Sequence, residues 1–441
     1  MTASARRRKP ARGPRSDRAL DASAVRWYLR SRPVYSGGNQ VALLRGGEAL
    51  FPAMCEAIAA ARHEVWLATY IFHDDAASQT VVAALAAAAR RGVHVSFVVD
   101  GFGAVPGWAA VEARLRAAGV HVAVFRPMRG WRSWLQPAQL RRMHMKLCVV
   151  DGKTAFVGGI NLMDDRIDLT HGATERPRLD FAVRVDGPAA EAVHHTARAV
   201  WSRASLGRDW RDEVAALARS PEPVARARRV LERLRVQERE PAAPAFDTLP
   251  PARAAFLVRD NFRQRRSIER SYVEAIRKAR ASIDIVTPYF FPGPGFLRAL
   301  RGAAARGVRV RLLMQGVWDY RLAAFAVRGL YEDLLRRGVQ IHEYTEAFLH
   351  AKVAVVDDEW ATVGSSNIDP LSLLVNLEAN IVVRDRDFVA VLRGEIDAAI
   401  AGAQVVARSS GPGGRLVPLQ RGIVAWGARL YLRLAATGSR L

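Results

Sequence analysis

Cysteine is nearly absent: Cys55 and Cys148 are the only two in 441 residues. That excludes a disulfide framework and fits a reducing compartment. Long apolar runs are missing too. No stretch of about 18 consecutive apolar residues occurs, so a spanning helix is not expected. The first twenty residues, MTASARRRKPARGPRSDRAL, hold basic residues but no apolar core segment, unlike a secretory signal. Acidic residues are outnumbered, 43 against 66 basic, for a formal charge of +23. An anionic partner is therefore expected, and net charge alone does not choose between nucleic acid and a lipid surface.

Lysine is the most informative scarcity. Only five of the 66 basic residues are lysine: Lys9, Lys146, Lys153, Lys278 and Lys352. Two of them, Lys146 and Lys352, each stand two residues after a histidine in a repeated sequence. A chain that writes its positive charge as arginine has kept a compact ammonium at these two places.

What is present is half hydrophobic, enough for a substantial core. The N-terminal residues 1–24 read as a basic disordered tail. Residues 25–237 form a first half, the Pro- and Ala-rich stretch 238–253 a linker, 254–407 a second half, and 408–441 an amphipathic C-terminal segment. The halves restate each other. VVAALAAAARRGVHVSFVVDGFG corresponds to FLRALRGAAARGVRVRLLMQGVW, LRAAGVHVAVF to LRRGVQIHEYT, and VWLATYIFHDD to IDIVTPYFFPG. In each, a helical Ala/Arg pattern leads through Arg-Gly-Val into an apolar strand. The expected fold is α/β: a duplicated αβα sandwich of two pseudo-symmetric halves.

The repeat is sharpest in HMKLCVVDGKTAFVGGIN, residues 144–161, and HAKVAVVDDEWATVGSSN, residues 350–367. Both begin as strands, in which side chains alternate faces. His144 and Lys146 then share a face, as do His350 and Lys352. Asp151 and Asp357 lie at an odd offset from their histidines and point away. They suit ending the strand and fixing the following turn better than acting as a direct base. Glycines then let the backbone approach a ligand, and Asn161 and Asn367 add neutral donors. Two copies facing each other offer two imidazoles, two ammoniums and two amides. That set suits a phosphodiester: one histidine attacks phosphorus, the other protonates the leaving oxygen, and the donors hold the nonbridging oxygens. Half a site supplies only one of these roles.

These stretches match throughout the duplicated HxKx4Dx6G[GS]xN motif, and the chain resembles the phospholipase D superfamily. With RRMHMKLCVVD, LDFAVRVDGP and ATVGSSNIDPLSLLVNLEAN it looks like the short, B-type bacterial cardiolipin synthases over roughly residues 36–435. The resemblance implies one active site shared between two phospholipase D-like halves. It implies a catalytic set of His144, Lys146, Asp151, His350, Lys352 and Asp357, with Asn161 and Asn367 on the substrate phosphate. It also implies a phosphatidyl-histidine intermediate on His144, with His350 as general acid and then base. A carboxylate behind each histidine orients its ring; by position these are Asp180 and Glu378, which follow their asparagines by 19 and 11 residues. No cofactor or metal is implied. The expected partner is an anionic phospholipid membrane carrying phosphatidylglycerol and cardiolipin, not nucleic acid, at the cytoplasmic side of a bacterial inner membrane. A hydrolase of the same superfamily, a phospholipase or nuclease, is the enzymatic alternative. A basic nucleic-acid-binding protein on a decayed scaffold is the other, against which both intact motifs argue.

Other features have plainer readings. His94 and His121 fall in strands and read as ordinary strand residues, while His194 and His195 read as helix surface. Asp74 and Asp75 follow a strand end and line the pocket in one half only, or serve locally. RPMRGWRSWLQPAQLRRM, residues 126–143, interleaves arginine with Trp131 and Trp134, which suits a lipid interface or nucleic-acid stacking. The C-terminal segment, with Trp426, reads as an in-plane membrane helix or as a helix packed on the domain.

Overall fold

The computed structural model describes residues 33–104, 107–128, 141–169, 172–218, 252–260, 264–316 and 331–407. The N-terminal tail, most of the linker, Trp131, Trp134 and the segment after residue 407 lie outside them, so the readings made of those stretches do too.

The first half builds strands β1 (Gln40–Arg45), β2 (Glu64–Phe72), β3 (His94–Ala104), β4 (His121–Phe125), β5 (Lys146–Val150), β6 (Thr154–Gly158) and β9 (Phe181–Asp186), with a small hairpin of β7 (Ile167–Asp168) and β8 (Gly172–Ala173). The second builds β10 (Arg253–Arg259), β11 (Ser282–Val286), β12 (Arg309–Gln315), β13 (Gln340–Tyr344), β14 (Val353–Val356), β15 (Trp360–Gly364), β16 (Glu378–Arg384) and β17 (Gln404–Val405). Spatial order is β1-β9-β6-β5-β2-β3-β4 in one sheet and β10-β16-β15-β14-β11-β12-β13-β17 in the other. Apart from the added β17, the two orders match strand for strand. In each sheet three strands run parallel, β2-β3-β4 and β11-β12-β13, and the rest pair antiparallel. The duplication read from the sequence is thus a duplication of topology.

Helices cover the outer faces. Helices α1 (Gly46–Ala60), α2 (Ala76–Arg90) and α3 (Trp108–Ala117) place Phe51, Ile58, Val81, Leu85, Val111 and Leu115 in one buried cluster with β2 and β3. Helices α5 (Ser267–Lys278) and α6 (Pro294–Ala305) do the same for the second sheet through Ile268, Tyr272, Phe296 and Leu300. Each fully buried side chain of this size is worth about 1.5–3 kcal/mol. A third cluster joins the halves. Met143, Met145, Phe181 and Val183 of the first pack with Leu349, Ala351, Val353 and Ala379 of the second. The inner faces of both sheets therefore bury one core, closed by α4 (Pro188–Ala218) and α8 (Arg386–Ala401).

Two of the minor readings change. His194 is packed, not free surface: its Nε2 lies 2.8 Å from Glu64 Oε1, and its ring centroid 6.2 Å from that of Trp66. Helix α4 lies across the sheet, so this side of the helix meets β2. Asp75 is a helix cap. Its carboxylate accepts the N–H of Ser78 at 2.9 Å and that of Asp164 at 2.8 Å, holding the start of α2 against the loop after Asn161.

Candidate active site

The backbone brings the two motifs together before any side chain is considered. Leu179 and Leu349 form an isolated parallel bridge, as do Met143 and Leu377. The N–H of His144 donates to the carbonyl of Leu377 at 2.9 Å, and that of His350 to the carbonyl of Leu179 at 2.9 Å. Leu179 and Leu377 immediately precede Asp180 and Glu378. Each histidine is therefore sewn to the segment that carries the other half's carboxylate.

The side chains follow that crossing. His144 Nδ1 lies 3.0 Å from Glu378 Oε2, and His350 Nδ1 lies 2.6 Å from Asp180 Oδ2. Both carboxylates proposed from sequence position sit behind a histidine ring, and each serves the histidine of the opposite half. The eight extra residues between Asn161 and Asp180 accommodate the β7–β8 hairpin, whereas the second half makes the short helix α7 (Pro370–Leu374) at this point.

Lys146 and Lys352 are buried, with their ammonium groups donating to the carbonyls of His144 and His350. Burial lowers their pKa values, to about 8 for Lys146 and about 7 for Lys352. The groups act on one another: both lysines depress His350, and Lys352 also depresses His144. Burial is the larger cause in each histidine, and it pulls His350 well below the ordinary value. Glu378 pulls His144 the other way. These mutual effects require the two motifs to share one site.

The carboxylates are not equivalent. Burial pushes Asp180 up to about 7, against the pull of Lys352. Burial acts on Glu378 in the same direction, but the charge and hydrogen bond of His144, then Lys146 and the Ser365 hydroxyl, bring it below the ordinary value. Ser365 Oγ donates to Glu378 Oε2 at 2.6 Å. The matching residue in the first half is Gly159, where a Cβ would lie 2.4 Å from Asp180 Oδ1. A serine does not fit there, so Asp180 has no hydroxyl donor from that position.

Asn161 and Asn367 end their motifs. Asn161 Oδ1 accepts the N–H of Ile71 at 3.2 Å, which leaves its amide N–H₂ for other use. Asn367 Oδ1 is buried without a hydrogen-bond partner among the described residues.

Asp151 and Asp357 lie at the far ends of β5 and β14. Asp151 accepts the N–H groups of Arg62, His63 and Glu64 at 2.9, 2.8 and 2.9 Å. Asp357 accepts those of Arg280, Ala281 and Ser282 at 2.9, 2.8 and 3.0 Å. Both have positive φ, 51° and 49°. They end the strand, as expected, but the segment they fix is the one entering β2 or β11 rather than the turn that follows. Three converging N–H groups form a local anion nest, and that outcompetes the turn.

Sequence reasoning missed three supports. Asp100, at the end of the regular part of β3, accepts the N–H of Met143 at 2.8 Å. Gln315, its counterpart in β12, accepts the N–H of Leu349 at 2.6 Å. Each thus anchors the residue immediately before a motif histidine, and the aligned VVDGFG and LLMQGVW carried that signal. Ser365 is the second support. Tyr70 is the third: its ring centroid lies 4.7 Å from that of His144, and Lys146 Nζ lies 5.3 Å from the centroid of the same ring. Among the described residues no cluster of three or more His, Cys, Asp or Glu could hold a metal ion. No described helix is long and apolar enough to cross a membrane.

Comparison with known proteins gives this site its relatives. A family model described as "Cardiolipin synthase, PLD-like domain" matches residues 54–174 and 272–400, one copy in each half. Cardiolipin synthase B of Escherichia coli K12 is 36% identical over 365 residues, 82% of this chain and 81% of its own. Cardiolipin synthase B of Salmonella typhi is 37% identical over 364 residues, with the same coverage. Cardiolipin synthase of Halalkalibacterium halodurans is 29% identical over 80% of this chain and 64% of its own. Among solved structures, the phosphatidylserine synthase of Haemophilus influenzae Rd KW20 superposes with a TM-score of 0.60 at 14% identity, covering 94% of this chain and 99% of that one, a likeness of fold. With two motif copies, two matched domains and relatives this similar over four-fifths of its length, the chain belongs to the phospholipase D-like family of cardiolipin synthases.

Proposed function

We propose that the chain is a cardiolipin synthase, a phosphatidyltransferase acting on two molecules of phosphatidylglycerol at the cytoplasmic face of a bacterial inner membrane. The observation that carries this reading is the crossed pair of histidine–carboxylate dyads around two buried lysines. It supplies a nucleophile, a general acid and charge stabilisation in one site.

His144 Nε2 attacks the phosphorus of the first phosphatidylglycerol. A phosphorus–nitrogen bond forms and the bond to the departing glycerol oxygen breaks. His350 gives that oxygen its proton, and free glycerol leaves. A hydroxyl of a second phosphatidylglycerol then attacks the same phosphorus and surrenders its proton to His350. The phosphorus–nitrogen bond breaks, and cardiolipin is released. Lys146, Lys352, Asn161 and Asn367 hold the nonbridging oxygens throughout. The two carboxylates favour this division of labour. Glu378, held ionised, stabilises the positive charge that His144 acquires on attack. Asp180, whose carboxyl burial pushes up to about 7, lies 2.6 Å from His350 Nδ1, which suits a group that must give and retake a proton.

The deciding experiment is incubation with phosphatidylglycerol vesicles in the presence of EDTA, followed by product analysis. Equimolar cardiolipin and glycerol are expected. Phosphatidic acid as the sole lipid product would instead establish a hydrolase, and cleavage of DNA with no lipid turnover a nuclease.

A further inference from the structure

The motif is symmetric, but the described residues around it are not. Strands β2 and β3 pair regularly up to Thr69 and Val99, and then resume at Ile71 and Gly103. Between those points β2 has Tyr70 alone and β3 has Asp100, Gly101 and Phe102, so β3 carries two extra residues and bulges against β2. In the second half β11 and β12 pair in one register up to Val286 and Leu313, where β11 ends. Bulges re-aim side chains beside functional sites. Here the bulge lays Phe102 on Tyr70, with ring centroids 5.9 Å apart and planes within 5°.

Tyr70 has no aromatic counterpart. Thr69 Oγ1 donates to the carbonyl two residues on, and so does Thr287 Oγ1, which aligns Thr69 with Thr287. Tyr70 then corresponds to Pro288. The ring of Tyr70 packs on both His144 and Lys146. Among the described residues no aromatic ring packs on His350. Exposure follows the same asymmetry: the His144 side chain is 12% exposed and that of His350 25%. Phe102, the outer ring of the stack, is 44% exposed, with the Arg142 guanidinium 5.9 Å from its centroid.

We infer that the Tyr70–Phe102 stack is the apolar wall that shields phosphoryl-His144 from water and seats the apolar root of a lipid acceptor beside it. The inference rests on the phosphatidyl-transfer reading above and deepens it. The intermediate has two fates, attack by a lipid hydroxyl or attack by water. Bulk water is about 55 M, so transfer needs a site that excludes it on one side and admits it poorly on the other. An aromatic face over Lys146 replaces part of the ammonium's hydration shell by a cation–π contact. An exposed phenylalanine at the rim presents an apolar surface that a glycerolipid contacts and water does not. The chemistry of attack and departure stays with the histidines. Tyr70 and Phe102 act on which nucleophile arrives.

The test is the molar ratio of cardiolipin to phosphatidic acid formed from phosphatidylglycerol vesicles. A ratio is internal to each preparation, so it does not depend on how much enzyme is folded. Phe102→Ala and Tyr70→Ala should each lower it by about tenfold, the discrimination expected when one apolar contact with the favoured substrate is lost. Tyr70→Phe keeps the ring and should leave the ratio at the wild-type value. Phe102 is a partly exposed rim residue, so its variant gives the result even where Tyr70→Ala folds badly. An unchanged ratio in Phe102→Ala overturns the inference, as does a Tyr70→Phe ratio as low as that of Tyr70→Ala. Wild-type protein that makes no cardiolipin defeats the transfer reading itself, a result visible before any variant is made.

Discussion

His144 Nδ1 and Glu378 Oε2 lie 3.0 Å apart although 234 residues separate them in the chain and they belong to different halves. The pair is fixed from both sides. The His144 N–H is held by Leu377, next to Glu378, and Glu378 is held by the Ser365 hydroxyl. Glu378→Gln keeps the size but loses the charge that favours the His144 cation and the Nδ1–H tautomer. We expect kcat to fall about 10²–10⁴-fold with KM little changed, the range for losing one contributor to acid–base chemistry. Ser365→Ala, which removes only the hydroxyl, should cost far less. Steady-state kinetics of both variants check this; a Glu378→Gln enzyme with wild-type kcat sinks the orienting role.

The proposed mechanism gives the two histidines separate tasks, so each should be individually essential. His144→Ala should form no covalent phosphatidyl-enzyme from any donor. His350→Ala should not turn over phosphatidylglycerol, yet should be labelled by a phosphatidyl ester of p-nitrophenol, whose leaving group needs no proton. Acid-quench trapping of radiolabelled enzyme separates these outcomes. Labelling of His144→Ala but not of His350→Ala reverses the assignment of nucleophile and acid.

Much of this site was legible in the sequence because its chemistry is local. The scarcity of lysine isolated Lys146 and Lys352, and the period of two put each on its histidine's face. The odd offset turned Asp151 and Asp357 away, and the structure gives each three backbone N–H groups at the far end of its strand. The matching order of segments foretold two sheets of the same topology. The crossing was not legible. Spacing along one half says that Asp180 and Glu378 end near a histidine, but which histidine depends on how the halves pack. Two parallel bridges between the halves decide that, at Leu179–Leu349 and Met143–Leu377. Tyr70 was hidden for a similar reason. In sequence it is one aromatic in an apolar strand, and only the bulge opposite it shows what it faces.

The proposed phosphate-binding role of the buried lysines should make substrate capture sensitive to alkali. A phosphodiester binds the ammonium form. Burial holds Lys352 to about 7 and Lys146 to about 8 in the free protein, so the cations are lost as pH rises through those values. Catalytic efficiency, which reports the free enzyme, should therefore fall at least about tenfold per pH unit above pH 8. Bound phosphate restores the lysine charge, so kcat should decline later. Rates at low and at saturating phosphatidylglycerol between pH 6 and 10 give both profiles. An efficiency that is flat to pH 10 contradicts the lowered values.

Asp151 is a stability residue by its contacts. Burial opposes its charge, but the N–H groups of Glu64, Arg62 and His63 outweigh that and hold the carboxyl below its ordinary value. Such a group stabilises the fold above its unfolded pKa, and the contribution disappears as pH falls through the folded one. Asp151→Ala loses the acceptors and places alanine at φ 51°, so a loss of about 1–3 kcal/mol is expected. Asp151→Asn, which tolerates that φ and keeps one acceptor oxygen, should lose less. Thermal melts at pH 7 and pH 3 test the sign: the gap between wild type and Asp151→Asn should narrow at pH 3.

The +23 charge and the proposed bilayer substrate favour docking at an anionic membrane surface. Two stretches carry the sequence signals for that, 126–143, whose Trp131 and Trp134 lie outside the described residues, and 408–441 with Trp426, wholly outside them. Each Lys or Arg close to an anionic surface contributes about 1 kcal/mol, so several together give reversible binding. Salt screens that part, since the Debye length falls to about 3 Å at 1 M. Insertion of the tryptophans is apolar and resists salt. Wild-type protein should pellet with phosphatidylglycerol vesicles and wash off in part at high salt. A truncation ending at Arg408 should bind more weakly, and so should the paired Trp131→Ala/Trp134→Ala variant, with the remainder lost at lower salt. If both bind as wild type does, the surface that meets the membrane lies on the folded halves, and the exposed Phe102 beside Tyr70 becomes the first place to look for it.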